Sequence, residues 1–221
     1  MLEKTYQFVK QIMEKESSGH GVDHIERVYH NAEKILSYEK EADAFVVLMA
    51  ALLHDVDDYK INPDGQRANN FLHTLNLPEN KIQQILTTID AIGFSKSGAN
   101  PKFDTLEQMV LSDADKLDAI GAIGICRTIA YNTAKHRPLF KPDFFPDENQ
   151  TLEQYKQAQD PCINHFFDKL LKLKNTMQTQ TAKKMAQERH DFLVAFLREF
   201  FTEMGTPQWS EYLDGWLTRH I

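Results

Sequence analysis

An imidazole and a carboxylate stand side by side where an apolar stretch of this chain ends, in Ala50-Ala51-Leu52-Leu53-His54-Asp55, and Val56, Asp57 and Asp58 follow. Burying an unpaired carboxylate is costly, so a His-Asp pair directly after Val46 to Leu53 needs a cation or a dense hydrogen-bond network. A divalent metal ion satisfies both residues at once. Further ligands of the right kind occur in order along the chain: His24 upstream, within Asp23-His24-Ile25-Glu26-Arg27-Val28, and Asp115 downstream, within Ser112-Asp113-Ala114-Asp115-Lys116-Leu117-Asp118. Two imidazoles and two carboxylates make a borderline-hard donor set suited to Mn, Fe, Mg, Ni or Zn.

On a helix each residue turns by about 100°. His24 and Arg27, His54 and Asp58, and Asp115 and Asp118 then share faces, so each candidate ligand has a second polar group one turn along. An octahedral ion held by four side chains keeps two positions, one for water and one for an oxygen of a substrate. Asp58 is the candidate to position or deprotonate that water. Arg27 and Lys116 are candidates to neutralise substrate phosphates, Arg27 by bidentate geometry and Lys116 as a point charge. Lys60 and Arg127 are weaker ones, and Arg127 shares the face of Asp115 only if the chain bends at Gly121 or Gly124. His20, four before His24, is a proton donor or substrate contact, or simply precedes the helix. Asp118 is expected to be structural, bonding a backbone N–H. His165 and Lys169 share a helical face that could line a pocket, although packing of Phe166, Leu170 and Leu171 explains much of that pattern; Arg189 stands similarly.

The elements that must position these groups read as all-α. Apolar residues recur at helical spacing through nearly every segment, with no sustained strand alternation. Helices are expected at about 2–16, 22–40, 42–58, 64–76, 79–92, 104–119, 121–135, 151–174, 178–204 and 207–219. Ser17-Ser18-Gly19, Asn62-Pro63-Asp64-Gly65, Leu77-Pro78 and the stretch from Gly93 to Pro101 divide them. Lys135 to Gln150, with Pro138, Pro142 and Pro146 among Phe140, Phe144 and Phe145, cannot be regular helix. It reads either as a flap facing substrate or as a surface loop pinned to the core by its aromatics.

At 221 residues the chain is long enough to bury a sizeable core as one domain. Its 25 basic residues against 32 acidic ones give a net charge of −7, which argues against nonspecific affinity for nucleic acid or an anionic membrane. The longest apolar run, Ala44 to Leu53, is too short to span a bilayer, and the first residues lack the charged-then-apolar order of a signal peptide. Cys126 and Cys162 read as reduced, buried thiols, in keeping with a cytoplasmic protein.

The ordered set His24, His54-Asp55 and Asp115 in Ala-Asp-Lys-Leu resembles the HD-domain superfamily of metal-dependent phosphohydrolases. Asp113 to Ile125 followed by Arg127, His165-Phe-Phe-Asp-Lys-Leu-Leu171 and Arg189-His190 narrow the resemblance to a bacterial single-domain subfamily of nucleotide pyrophosphohydrolases. It runs from about His20 to about Phe201, and departs at Gly21, where relatives often carry an acidic residue. The resemblance implies a single all-α HD-type helical bundle over 1–221, with a core at about 20–130 and C-terminal helices at about 150–220 packed on it. It implies one divalent ion per chain, Mn foremost, on His24, His54, Asp55 and Asp115, with Asp58 in a catalytic role. The expected partner is a small-molecule nucleotide, with neither nucleic acid nor membrane, and a homo-oligomer is possible. Cleavage of a nucleoside triphosphate to monophosphate and pyrophosphate is the specific expectation. The alternatives are a nucleotidase acting on monophosphates and a regulatory module that binds nucleotide or metal without turnover. Dinuclear HD enzymes need additional histidines between the His-Asp pair and the last Asp, and that interval holds only His73.

Overall fold

The computed structural model describes residues 1–14, 21–58, 65–92, 102–147 and 159–220. They are helical without a strand among them, which bears out the all-α reading. No helix among them is long and apolar enough to cross a membrane. The chain separates into two compact units, Met1–Asp118 with Met177–Lys183, and Ala119–Thr176 with Lys184–Ile221.

The first unit holds α1 (Leu2–Met13), α2 (Val22–Leu36), α3 (Ala44–Leu53), α4 (Arg67–His73), α5 (Glu79–Asp90) and α6 (Leu106–Asp118). Helix α3 is its centre, because its sequence is apolar all round: Val46, Val47, Met49, Ala50, Ala51, Leu52 and Leu53 are all buried. Its start is set by Asp43, whose carboxylate accepts from the N–H groups of Phe45 (3.1 Å) and Val46 (3.2 Å) and also pairs with Lys81. Around it pack α1, α2, α5 and α6. Helix α2 buries Ile25, Val28, Ala32 and Ile35 along one stripe, and His24 lies on that same stripe, at the end where the helix begins. Asn31 ties α2 to α6 by donating to the Ala114 carbonyl at 3.0 Å. Asp113, wholly buried on α6, accepts from the N–H groups of Gln178 and Thr179 and from the Thr179 hydroxyl, which joins the segment Met177–Lys183 to this unit.

Helix α3 stops at Leu53, five residues short of the expected end. Val56 N bonds to Leu53 O and Asp58 N to Asp55 O, both at 3.1 Å, so the chain continues in tight turns. His54 and Asp58 therefore do not share an α-helical face. Asp57 caps the next helix from across the turn, accepting from the N–H groups of Arg67 and Ala68.

The second unit contains α7 (Gly121–Ala134), α8 (Asn164–Asp168), a 3₁₀ helix (Leu170–Thr176), most of α9 (Gln180–Glu203) and α10 (Pro207–Arg219). The helix expected over 151–174 is, in its described part, the five-residue α8 and the 3₁₀ turn; 148–158 lie outside the described residues. Two glycines of the family-like stretch have steric reasons. Gly121 adopts φ +77° with the Arg189 side chain 3.0 Å from where a Cβ would sit, and a Cβ on Gly124 would lie 2.3 Å from the Ala119 carbonyl oxygen. Cys126 is exposed, against expectation: α7 buries Gly121, Gly124, Ile125, Thr128 and Asn132, and position 126 falls off that face. An aromatic core surrounds the wholly buried Trp209, with Phe140, Phe145, Phe167, Phe201 and Tyr212 at centroid distances of 4.5–5.9 Å. The Trp209 indole N–H donates to Pro142 O at 2.8 Å. The proline-rich segment through residue 147 is thus pinned by its aromatics.

Candidate metal centre

The chemistry-bearing residues of the first unit meet where α2 begins and α3 and α6 end. His24 comes from the first turn of α2, His54 and Asp55 from the end of α3, and Asp115 and Asp118 from the last turn of α6. His24 Nε2 stands 3.5 Å from Asp55 Oδ2 and 3.5 Å from Asp115 Oδ1, and His54 Nε2 stands 3.4 Å from Asp55 Oδ2. The two imidazole rings are nearly edge to face, with centroids 5.4 Å apart. One donor atom each from His24, His54 and Asp115 lies within 4.8 Å of the others. Donors held about 2.1 Å from a common ion are about 3 to 4.2 Å apart. The separations of 3.4 and 3.5 Å fall within that range.

Each imidazole is aimed by its other nitrogen. His54 Nδ1 donates to the Ala51 carbonyl at 2.9 Å, one of the carbonyls left without a helical partner at the end of α3. Its Nε2 is then the nitrogen left to face the centre, and this buried atom has no hydrogen-bond partner among the described residues. His24 Nδ1 lies 2.6 Å from Asp118 Oδ2. An ionised carboxylate only accepts, so Nδ1 carries a proton in this bond, and Nε2 is the nitrogen turned to Asp55 and Asp115. Two imidazole nitrogens beside two carboxylates are a donor set that fits a divalent cation, which would bind in place of the ring protons.

The field of the carboxylates is visible in the titration of both rings. Burial by itself depresses His54, yet the charges of Asp55, 3.4 Å from Nε2, and of Asp115 outweigh it and raise the imidazole to about 9. His24 is likewise depressed by burial and raised, on balance, by Asp118, Asp55 and Asp115. The same negative potential that holds a proton on these rings would favour a metal ion in its place.

The remaining sequence expectations divide by place. Arg27 gives its Nε–Nη2 edge to Asp118, at 2.6 and 3.2 Å, and its Nη1 to Asp23 at 2.7 Å. The bidentate edge expected to grip phosphate is held by a carboxylate. Asp118, expected to be structural, accepts from the side chains of His24 and Arg27 while only 1% exposed. The i, i+3 spacing after Asp115 was the available signal for this. Lys116 is half-buried with its ammonium 5.6 Å from the Phe103 ring centroid, its pKa lowered by burial against the opposing charges of Asp113 and Asp115. Asp58 is half-buried on the turn after Asp55. His20 and Lys60 lie outside the described residues. Arg127, His165, Lys169 and Arg189 belong to the second unit, where burial, Lys169 and Arg137 push His165 down to about 3.

Comparison with known proteins follows the same outline. The HD domain family model matches residues 21–120, which takes in all of the converging groups. YpgQ from Bacillus subtilis is 36% identical over 198 residues, covering 87% of this chain and 88% of that protein. Its crystal structure in complex with ADP matches with a TM-score of 0.72, 30% identity and coverage of 92% of this chain and 97% of that one. A protein from Lactobacillus plantarum matches at TM-score 0.78 and 35% identity over 92% and 96% of the two chains. A structure described as an HD-superfamily hydrolase from Bacillus thuringiensis matches at 0.74 and 36%, over the same shares.

Proposed function

The chain belongs to the HD domain family and is a metal-dependent phosphohydrolase of that type; from this premise we propose that its substrate is a nucleoside triphosphate, cleaved to monophosphate and pyrophosphate. The observation that carries the reading is the convergence of two imidazole nitrogens, His24 Nε2 and His54 Nε2, on Asp55 and Asp115, with His54 Nε2 buried and without a hydrogen-bond partner among the described residues. These four residues are the proposed holders of one divalent ion, Mn foremost. When bound, such an ion polarises a phosphoryl oxygen and lowers the pKa of water toward neutrality.

The protein's own groups do the rest. The paired charges of Asp55 and Asp115 offset the ion's charge. Asp58, one turn beyond Asp55, orients the attacking water and takes its proton. Lys116, next to Asp115, compensates negative charge on a substrate phosphate. Attack at the α-phosphorus expels pyrophosphate, a better leaving group than a sugar alkoxide. ADP bound to the relative YpgQ supports a nucleotide as the ligand, and resemblance to pyrophosphohydrolases supports the α position.

Incubation of the Mn-loaded protein with a panel of nucleoside triphosphates, followed by chromatography and phosphorus NMR, tests the proposal. Monophosphate and pyrophosphate in equal amounts, with little orthophosphate, are expected. Nucleoside plus phosphate from monophosphates would make the protein a nucleotidase, nucleoside plus triphosphate would make it a triphosphohydrolase, and binding without turnover across the panel would make it a nucleotide-binding module.

A further inference from the structure

Asp118 is the last residue of α6 and sits one helical turn beyond Asp115, so one helix presents two carboxylates to the two nitrogens of a single ring. Asp115 Oδ1 faces His24 Nε2 at 3.5 Å and Asp118 Oδ2 faces Nδ1 at 2.6 Å. Asp118 is 1% exposed, a position at which a carboxylate is destabilising unless it is matched by donors. Its match is Arg27, one turn along α2 from His24, bonded through Nε at 2.6 Å and Nη2 at 3.2 Å. Arg27 is in turn held by Asp23 at 2.7 Å, on the preceding turn of the same helix.

We infer that Asp118 is the positioning residue of this centre: it locks the neutral His24 ring as the Nδ1–H tautomer and presents Nε2 to Asp55 and Asp115, with Arg27 holding the clamp and not gripping phosphate. The reason is one of proton placement. A free imidazole ordinarily favours the Nε2–H form, which would put a proton where the lone pair is needed. Asp118, 2.6 Å from Nδ1, reverses that preference: it can only accept, and it lies closer to the ring than Asp55 and Asp115, each 3.5 Å from Nε2. Arg27 cannot give up its proton and so keeps Asp118 an acceptor. The ring's tautomer and its angle are therefore set together, as is usual for a metal-binding imidazole backed by a carboxylate. The inference rests on the metal reading only for its consequence for affinity; the tautomer itself is a property of the metal-free protein.

Two measurements on the full chain test it. The first is the tautomer of His24, read from long-range 1H–15N NMR of the metal-free protein at a pH where the ring is neutral. Wild type is expected to show Nδ1–H, and Asp118→Asn a redistribution toward Nε2–H; Nδ1–H unchanged in a folded Asp118→Asn variant overturns the inference. The second is Mn affinity, followed by electron paramagnetic resonance of free Mn. Asp118→Asn is expected to weaken binding about 10- to 100-fold, and Arg27→Gln by a smaller factor, with circular dichroism confirming that both are folded. Wild-type affinity in both variants overturns the inference. If Asp118→Asn does not fold, Arg27→Gln decides by both readouts. Wild type that binds no Mn at all would overturn the metal reading of the preceding section, and the tautomer measurement would still decide the role of Asp118.

Discussion

The two histidines of the centre are held in different ways, and the difference separates what a side-chain substitution can reach from what it cannot. His24, on the α2–α6 side, is oriented by charge: buried Asp118 and half-buried Arg27 form an ion pair beside its Nδ1. His54, at the end of α3, is oriented by the backbone, through the Ala51 carbonyl that the ending helix leaves without a helical partner. The first hold can be loosened by one mutation. The second is built into the place where α3 stops, and changing residue 51 leaves its carbonyl where it is.

Removing the imidazoles tests this contrast most strongly. His24→Ala and His54→Ala are each expected to abolish stoichiometric metal, near one ion per chain in wild type, by elemental analysis and to lower turnover by about a thousandfold or more. They should differ without metal. His24→Ala takes a charge-assisted hydrogen bond from buried Asp118, worth about 1.5–3 kcal/mol, whereas His54→Ala removes one bond to a neutral carbonyl, about 1 kcal/mol. Urea unfolding of the metal-free variants compares them, and equal losses would dissolve the distinction.

Asp58→Asn separates chemistry from metal holding. Turnover is expected to fall about a hundredfold, in line with loss of a general base, while metal content persists. Near-normal turnover would reduce Asp58 to a structural acid.

Histidines away from the centre sharpen the comparison through pH. His190, buried in the second unit, is pushed down to about 4 by burial and by Lys174, against the opposing influence of Asp191 and the Leu171 backbone. The unfolded chain takes up this proton near pH 6.5 and the folded chain near pH 4, so in that window the unfolded state binds more protons and stability falls as the pH drops. The loss at the acid end is at most about 3.5 kcal/mol, from about 1.4 kcal/mol per pH unit. Unfolding midpoints at pH 7 and 4.5 should show a shallower acid slope for His190→Asn than for wild type. His54, raised to about 9 by Asp55 and Asp115, titrates on the opposite side of neutrality.

The smallest effect is expected at the outer edge of the charged hold. Asp23 is 75% exposed and pairs with Arg27 at i, i+4, so Asp23→Asn should change stability by no more than about 0.5 kcal/mol. A larger loss in thermal unfolding would show that the hold depends on its solvent-facing end.

How far the chain could be read without its structure varied with the range of the interaction involved. The helix of residues 22–36 was legible because its apolar stripe, from Ile25 to Ile35, is written in local periodicity. The helix through Ala44 to Leu53 was legible in existence but not in length, since its apolar residues surround it and its end depends on the His54 ring bonding back to Ala51. Cys126 was misplaced because an apolar pattern in α7 does not say which face meets the core. The segment 151–174 was read as one helix because its pattern is apolar at helical spacing, yet α8 ends at Asp168 and a 3₁₀ helix follows.

By itself the sequence determined the residue types of the centre and their order, His24, then His54 with Asp55, then Asp115, because a borderline-hard donor set is a matter of chemical identity. It also determined the helical class, since a 3.6-residue period is local. Only the tertiary structure decided how those groups are aimed. That Asp118 faces His24 and Arg27, that Arg27 spends its bidentate edge on a carboxylate, and that Asp58 leaves the helical face of His54 all depend on bonds between helices, or on a helix end. Hydrogen bonds act over about 3 Å in space, yet His24 and Asp118 lie 94 residues apart in the chain.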